Sequence, residues 1–78
     1  MRQKTLQLVV TFHTTTAAMA MESACAAAGL PGRLIPVPRE ITAGCGMAWK
    51  AAPEDRSALE EFVNAKSIKA AGWYELML

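Results

Sequence analysis

An α+β sandwich of order βαββαβ, a four-stranded antiparallel sheet with two helices on one face, is predicted by three features of this sequence. "LQLVVTF" (6–12) alternates so that Leu6, Leu8, Val10 and Phe12 share one face of a strand, and its β-branched residues suit a pleated, half-buried surface. Two segments have helical character, an Ala/Met-rich one ending near Gly29 and one opened by Pro53. Three further short apolar segments, "RLIPV", "MAW" and "WYELML", are set off by Gly- and Pro-bearing turns or by the second helix.

The elements follow in order. After the first strand, the hydroxyls of Thr14, Thr15 and Thr16 offer caps for the N–H groups that open a helix, and "AAMAMESACAAAG" has high helical propensity up to Gly29. Ala18, Met21, Cys25 and Ala28 fall on its buried stripe. "LPG" is a turn, and Pro36 and Pro38 confine "RLIPV" to an edge strand. Beyond Gly44 and Gly46, alternation resumes at Met47 and Trp49 in a strand antiparallel to the second. Pro53 then starts a helix whose first turn carries Glu54 and Asp55, suited to its positive end. Leu59, Phe62, Val63 and the stem of Lys66 make its buried stripe, and "WYELML" closes the sheet. Met47, Trp49, Phe62 and Trp73 read as core. This order fits the ferredoxin-like sandwich, with strands arranged 4-1-3-2.

The 78 residues, 1–78, allow one small domain. With 53% apolar residues and a net charge of +1, disorder is not expected and nucleic acid is not an expected partner. Arg33, Arg39 and Lys50 face only Glu40 in the middle of the chain, a mild asymmetry that suits a small anion there. The first residues mimic a signal peptide, but Gln7, Thr11 and His13 break the apolar run, and cleavage would delete the best strand. "MESAC" has Glu22 where a lipid-attachment site wants an aliphatic residue. No stretch approaches ~20 apolar residues, so no membrane partner is expected, and a cytoplasmic protein with both thiols reduced is.

The chemistry centres on Cys45. In a 4-1-3-2 sheet the first and third strands are antiparallel neighbours, so Phe12 and His13 lie beside Cys45 and Gly46, at the end that carries the start of the first helix. A thiolate is the reactive form of cysteine, and His⁺, arginine or a helix N-terminus favours it. Gly44 and Gly46 leave steric room and free amides, and Pro36 and Pro38 restrict the loop before them. An accessible, anionic sulfur is the expectation, with His13, Thr14, Thr15, Arg33, Arg39, Gly44 and Gly46 as binding residues around it. Each has a plainer reading: Cys45 as a small turn residue, His13 as a hydrogen-bonded spacer, the threonines as caps, the arginines as solvated or ion-paired. Cys25, on the helix stripe, reads as packing.

Two cysteines twenty residues apart and one histidine do not make a closed zinc site, so no metal is expected, and no CxxC is present for dithiol chemistry. Phosphate-loop and dinucleotide glycine patterns and a hydrolase triad are also missing, and no bound cofactor is expected.

Through "TFHTTTAAMAMESA", "LPGRLIPVPREITAGCGMAW" and "WYELML", almost the whole chain resembles small bacterial proteins described as selenium/sulfur (Se/S) carrier-like, formerly a domain of unknown function. The resemblance implies a thiol that accepts or delivers sulfur or selenium and maps that role onto Cys45, as a persulfide or selenosulfide. A carrier is implied rather than a stand-alone enzyme, loaded by a cysteine desulfurase-like donor protein and emptied by an acceptor protein, with a homodimer through the sheet face left open. A rival reading is a ligand- or partner-binding regulatory module of ferredoxin-like fold without sulfur transfer. A third is a redox sensor that forms mixed disulfides at Cys45.

Overall fold

The computed structural model describes residues 4–41 and 45–78, and within it five consecutive residues of β1 (Leu6–Phe12), Leu8 through Phe12, have no solvent exposure. β1 is central. β3 (Met47–Ala51) and β4 (Ala70–Met77) flank it, both antiparallel, and β2 (Arg33–Pro36) pairs with the outer side of β3, giving the order β2-β3-β1-β4. This is the ferredoxin-like arrangement that the sequence predicts.

One face of the sheet carries the main core. Leu8, Val10 and Phe12 join Trp49 and Ala51 from β3, Ala18, Met21 and Cys25 from α1 (Thr15–Ala28), and Leu59 and Val63 from α2 (Arg56–Ala65). Both helices therefore cover the same face. Burial of each large aliphatic or aromatic side chain here is worth about 1.5–3 kcal/mol, the main return for ordering so short a chain. Met47, Phe62 and Trp73 are half-buried against this cluster rather than enclosed by it.

The second face is covered as well. Val9 and Ala48 are buried under Ile41, with Ile35, Val37, Leu76 and Leu78 half-buried around them. Ile41 is a loop residue, and its N–H bonds to the Pro38 carbonyl at 2.9 Å, so the segment that follows β2 folds back over the sheet. Thr11, also on this face, satisfies its buried hydroxyl by donating to the Gly72 carbonyl at 3.5 Å.

Local chemistry fixes the helix ends. Thr14 caps α1, its hydroxyl accepting from the Ala17 N–H at 3.1 Å, and Gly29 closes it, with the Leu30 N–H bonding the Cys25 carbonyl at 2.9 Å. Ala28 is exposed, contrary to its expected place on the buried stripe, and the core contact at this end of α1 is made by Cys25 and Leu30 instead. Pro53–Asp55 form a 3₁₀ turn, so α2 starts at Arg56 and not at the proline. Arg56 donates to Glu60 at 3.0 Å and to Glu75 at 2.9 Å, linking α2 to β4. Lys66 is exposed, its ammonium 5.8 Å from the centre of the Phe62 ring. β4 begins at Ala70, three residues before "WYELML", since Ala70 pairs with Phe12 across an irregularity between Thr11 and Phe12. Among the described residues, no helix is long and apolar enough to cross a membrane.

The "LPG" turn is held by Trp49, whose indole N–H donates to the Pro31 carbonyl at 3.3 Å. Gly32 has φ 122°, and a β-carbon there would overlap the indole and come within 2.7 Å of the Lys50 carbonyl. Gly32→Ala should therefore lower stability by about 2–3 kcal/mol, measured by urea denaturation. Gly29→Ala, where the added carbon meets nothing within 4 Å, should cost less.

Candidate functional site

The turn that carries Cys45 is pinned by main-chain bonds on both sides. The Cys45 N–H donates to the Phe12 carbonyl at 3.0 Å, extending the β1–β3 ladder beyond Thr11↔Ala48. On the other side, the Val37 N–H donates to the Gly46 carbonyl at 2.9 Å, continuing the β2–β3 pairing past Pro36↔Met47. Gly46 turns the chain between them with φ 91°, a conformation open to glycine and strained for other residues, and a β-carbon there would meet nothing within 4 Å. Among the described residues, the space beside the thiol's neighbour is open.

Cys45 as a residue is half-buried. Cys45 packs against the helix-face core, and its thiol donates to the Met47 carbonyl at 4.0 Å, the outer limit of a sulfur hydrogen bond. A carbonyl oxygen accepts from S–H and offers nothing to a sulfur anion. The residue expected to present an accessible sulfur is thus partly sheltered.

The other expected residues are placed as follows. His13 is exposed directly after Phe12 and lines a depression of about 560 Å³ with Glu60, Asn64, Lys69 and Trp73, between α2 and β4. Among the described residues, no hydrogen bond joins its ring to the Cys45 sulfur. The Thr14 hydroxyl is engaged as the α1 cap, and Thr15 is exposed in a first turn that carries no acidic side chain. Arg33 is exposed opposite Lys50. Lys50 is five residues along β3 from Cys45, so at ~3.3 Å per residue Arg33 stands roughly 16 Å away along the strand. Arg39 is exposed in the turn between β2 and Ile41. Gly44 lies outside the described residues.

The backbone thus brings the end of β1, the head of α1 and Cys45 together, and His13 opens toward α2 and β4 instead. Sequence reasoning missed Glu60, Asn64 and Lys69 around His13. The α2–β4 pairing in space could have been inferred from their charges alone only with the register in hand. Among the described residues, no group of three His, Cys, Asp or Glu side chains is placed to hold a metal ion.

Cys25 differs in kind. It is fully buried on α1 among Leu8-side core residues, and burial pushes its thiol pKa up. Both cysteines are free thiols.

Residues 7–75 match the family described as "Putative Se/S carrier protein-like". No curated protein and no solved structure matches the chain.

The raised value at Cys25 has a sign that can be checked. The folded state keeps the Cys25 proton to higher pH than the unfolded chain does, so this contribution is complete below the unfolded thiol's ordinary value of about 8.5 and fades as pH rises through the folded one. Urea unfolding between pH 7 and pH 10 should show falling stability, and Cys25→Ala should flatten part of that slope. An unchanged slope would remove burial of Cys25 as its source.

Proposed function

Because the chain belongs to the Se/S carrier protein-like family, we propose that it carries sulfur or selenium on Cys45, as a persulfide or selenosulfide, between a cysteine desulfurase-like donor protein and an acceptor protein. The observation that carries this reading is the contrast between the two thiols: Cys45 is half-buried in a turn with open space at Gly46, whereas Cys25 is sealed in the core. A carrier needs one thiol that a second protein can reach.

The transfer balances without an external oxidant. The Cys45 thiolate attacks the outer sulfur of a donor persulfide, a new S–S bond forms, the donor's S–S bond breaks, and its electron pair leaves on the donor's thiolate. Delivery is the same exchange, with an acceptor nucleophile attacking the outer sulfur and Cys45 leaving as thiolate. Selenium follows the same course, with an outer selenium in place of sulfur. Loading breaks the weak contact of the thiol with the Met47 carbonyl, and the empty space at Gly46 gives room for the incoming sulfur. The unneutralised head of α1, reached through Phe12, supplies the favourable potential for the anion, and the basic side chains Arg33 and Arg39 guide an anionic partner surface. His13, with Lys69, meets the partner on the α2–β4 side. A reducing compartment, the cytoplasm, keeps the Cys45 thiol free for loading, and the cargo is passed on directly from protein to protein.

Incubating the reduced protein with a cysteine desulfurase and cysteine, then measuring intact mass, should show the gain of one sulfur atom. Cys45→Ala should abolish the gain and Cys25→Ala should leave it. With the donor shown to be active, no adduct, or an adduct on Cys25, would refute the proposal and favour the partner-binding module.

Gly46→Ala gives a graded test. Positive φ makes the substitution cost about 1 kcal/mol or more in stability, and movement of the turn should slow alkylation or loading at Cys45 without affecting Cys25. Equal loading rates in the two proteins would show that this turn's geometry does not govern access.

A further inference from the structure

On the face opposite the helices, Lys4, Thr5, Gln7, Ile35, Pro36, Pro38, Lys50 and Leu78 enclose a depression of about 570 Å³, within the range of small-molecule sites. Its floor is fixed, since Thr5 and Leu78 exchange two main-chain hydrogen bonds of 3.0 Å. One wall is apolar, from Ile35, the prolines and Leu78, and the polar part carries two ammonium groups. Cys45 packs on the other face of the sheet, so this depression is separate from the proposed carrier thiol.

The charges at this place are unbalanced. Arg33 on β2 stands directly across from Lys50 on β3, and directly opposed like charges in an antiparallel pair destabilise it. Among the described residues, both ion pairs belong to Arg56, so Lys4, Lys50 and Arg33 have no Asp or Glu carboxylate within 4.0 Å. An anion seated between the lysines would relieve that repulsion while its carbon body covered Ile35 and Leu78. A second copy of the chain on the same face would set the same cations against each other across a two-fold axis.

We propose that this depression binds a small organic anion, a carboxylate or phosphate head on a short apolar body. Neither the family's sulfur chemistry nor Cys45 enters this assignment. Lysines, as compact point charges, fix the sign of the head and leave its geometry open.

The test is a titration of the ¹⁵N-labelled full chain by NMR with octanoate, octyl phosphate and the neutral octanamide. At least one of the two anions should give saturable shifts at the amides of Gln7, Ile35, Lys50 and Leu78, and octanamide should bind at least tenfold more weakly. Lys50→Gln should weaken the anion at least threefold, and Lys4→Gln with Lys50→Gln at least tenfold, with the thermal unfolding temperature of the free protein not lowered, since Lys50→Gln also removes the repulsion with Arg33. Should the variants not fold, the comparison of anion and amide on the unaltered chain decides alone. Equal binding of the amide, shifts that cluster elsewhere, or no saturation would overturn the proposal. Shifts at these same amides on dilution without any ligand would overturn it too, in favour of a second copy.

Discussion

Antiparallel pairing of β1 with β3 is the constraint on which the rest of the molecule depends. β1 is buried from Leu8 to Phe12, so its peptide groups can find partners only in the flanking strands, and the ladder to β3 is obligatory. The bond from the Cys45 N–H to the Phe12 carbonyl continues that ladder by one rung into the turn. Two residues further along β1's exit, Thr14 caps α1. The thiol, the strand end and the helix head are therefore held by one run of main chain, and their proximity does not depend on any side-chain contact.

The sheet's two faces are filled by different means. Helices cover one, and Val37 and Ile41 from the proline-bearing segment after β2 cover part of the other. This division explains why β1 is apolar at successive positions, Leu8, Val9 and Val10, where a sheet with one wet face would alternate strictly. It also explains the uneven surface of the second face. Ile41 shields Val9 and Ala48, and among the described residues the area toward Lys4 and Leu78 is open, with cations at its rim.

The topology was legible because each signal in it was local. Strand alternation in β1, the threonine cap, Gly29 and the prolines of β2 each name an element or its boundary from a few adjacent residues, and the 4-1-3-2 order then places Phe12 beside Cys45. Ala28 and the start of β4 were not legible, for which residue of a helix's last turn meets the core and where an edge strand first finds its partner depend on distant contacts. Ile41 is the clearest case: in the sequence it is an isolated apolar residue in a turn, and only Val9 and Ala48 give it a role. The same limit applies to His13. Its position next to Phe12 was readable, but the ring's opening toward Glu60 and Lys69 depends on how α2 lies against β4.

The two borders of the sheet are unequal as templates. β2 has four residues, includes Pro36 and is followed by Pro38, and a ring nitrogen has no hydrogen to lend an incoming strand. β4 has eight residues and no proline. Lateral growth of this sheet, by a passing peptide or in a crowded cell by misassembly, is thus directed to a single side, away from the hairpin whose tip bears the thiol.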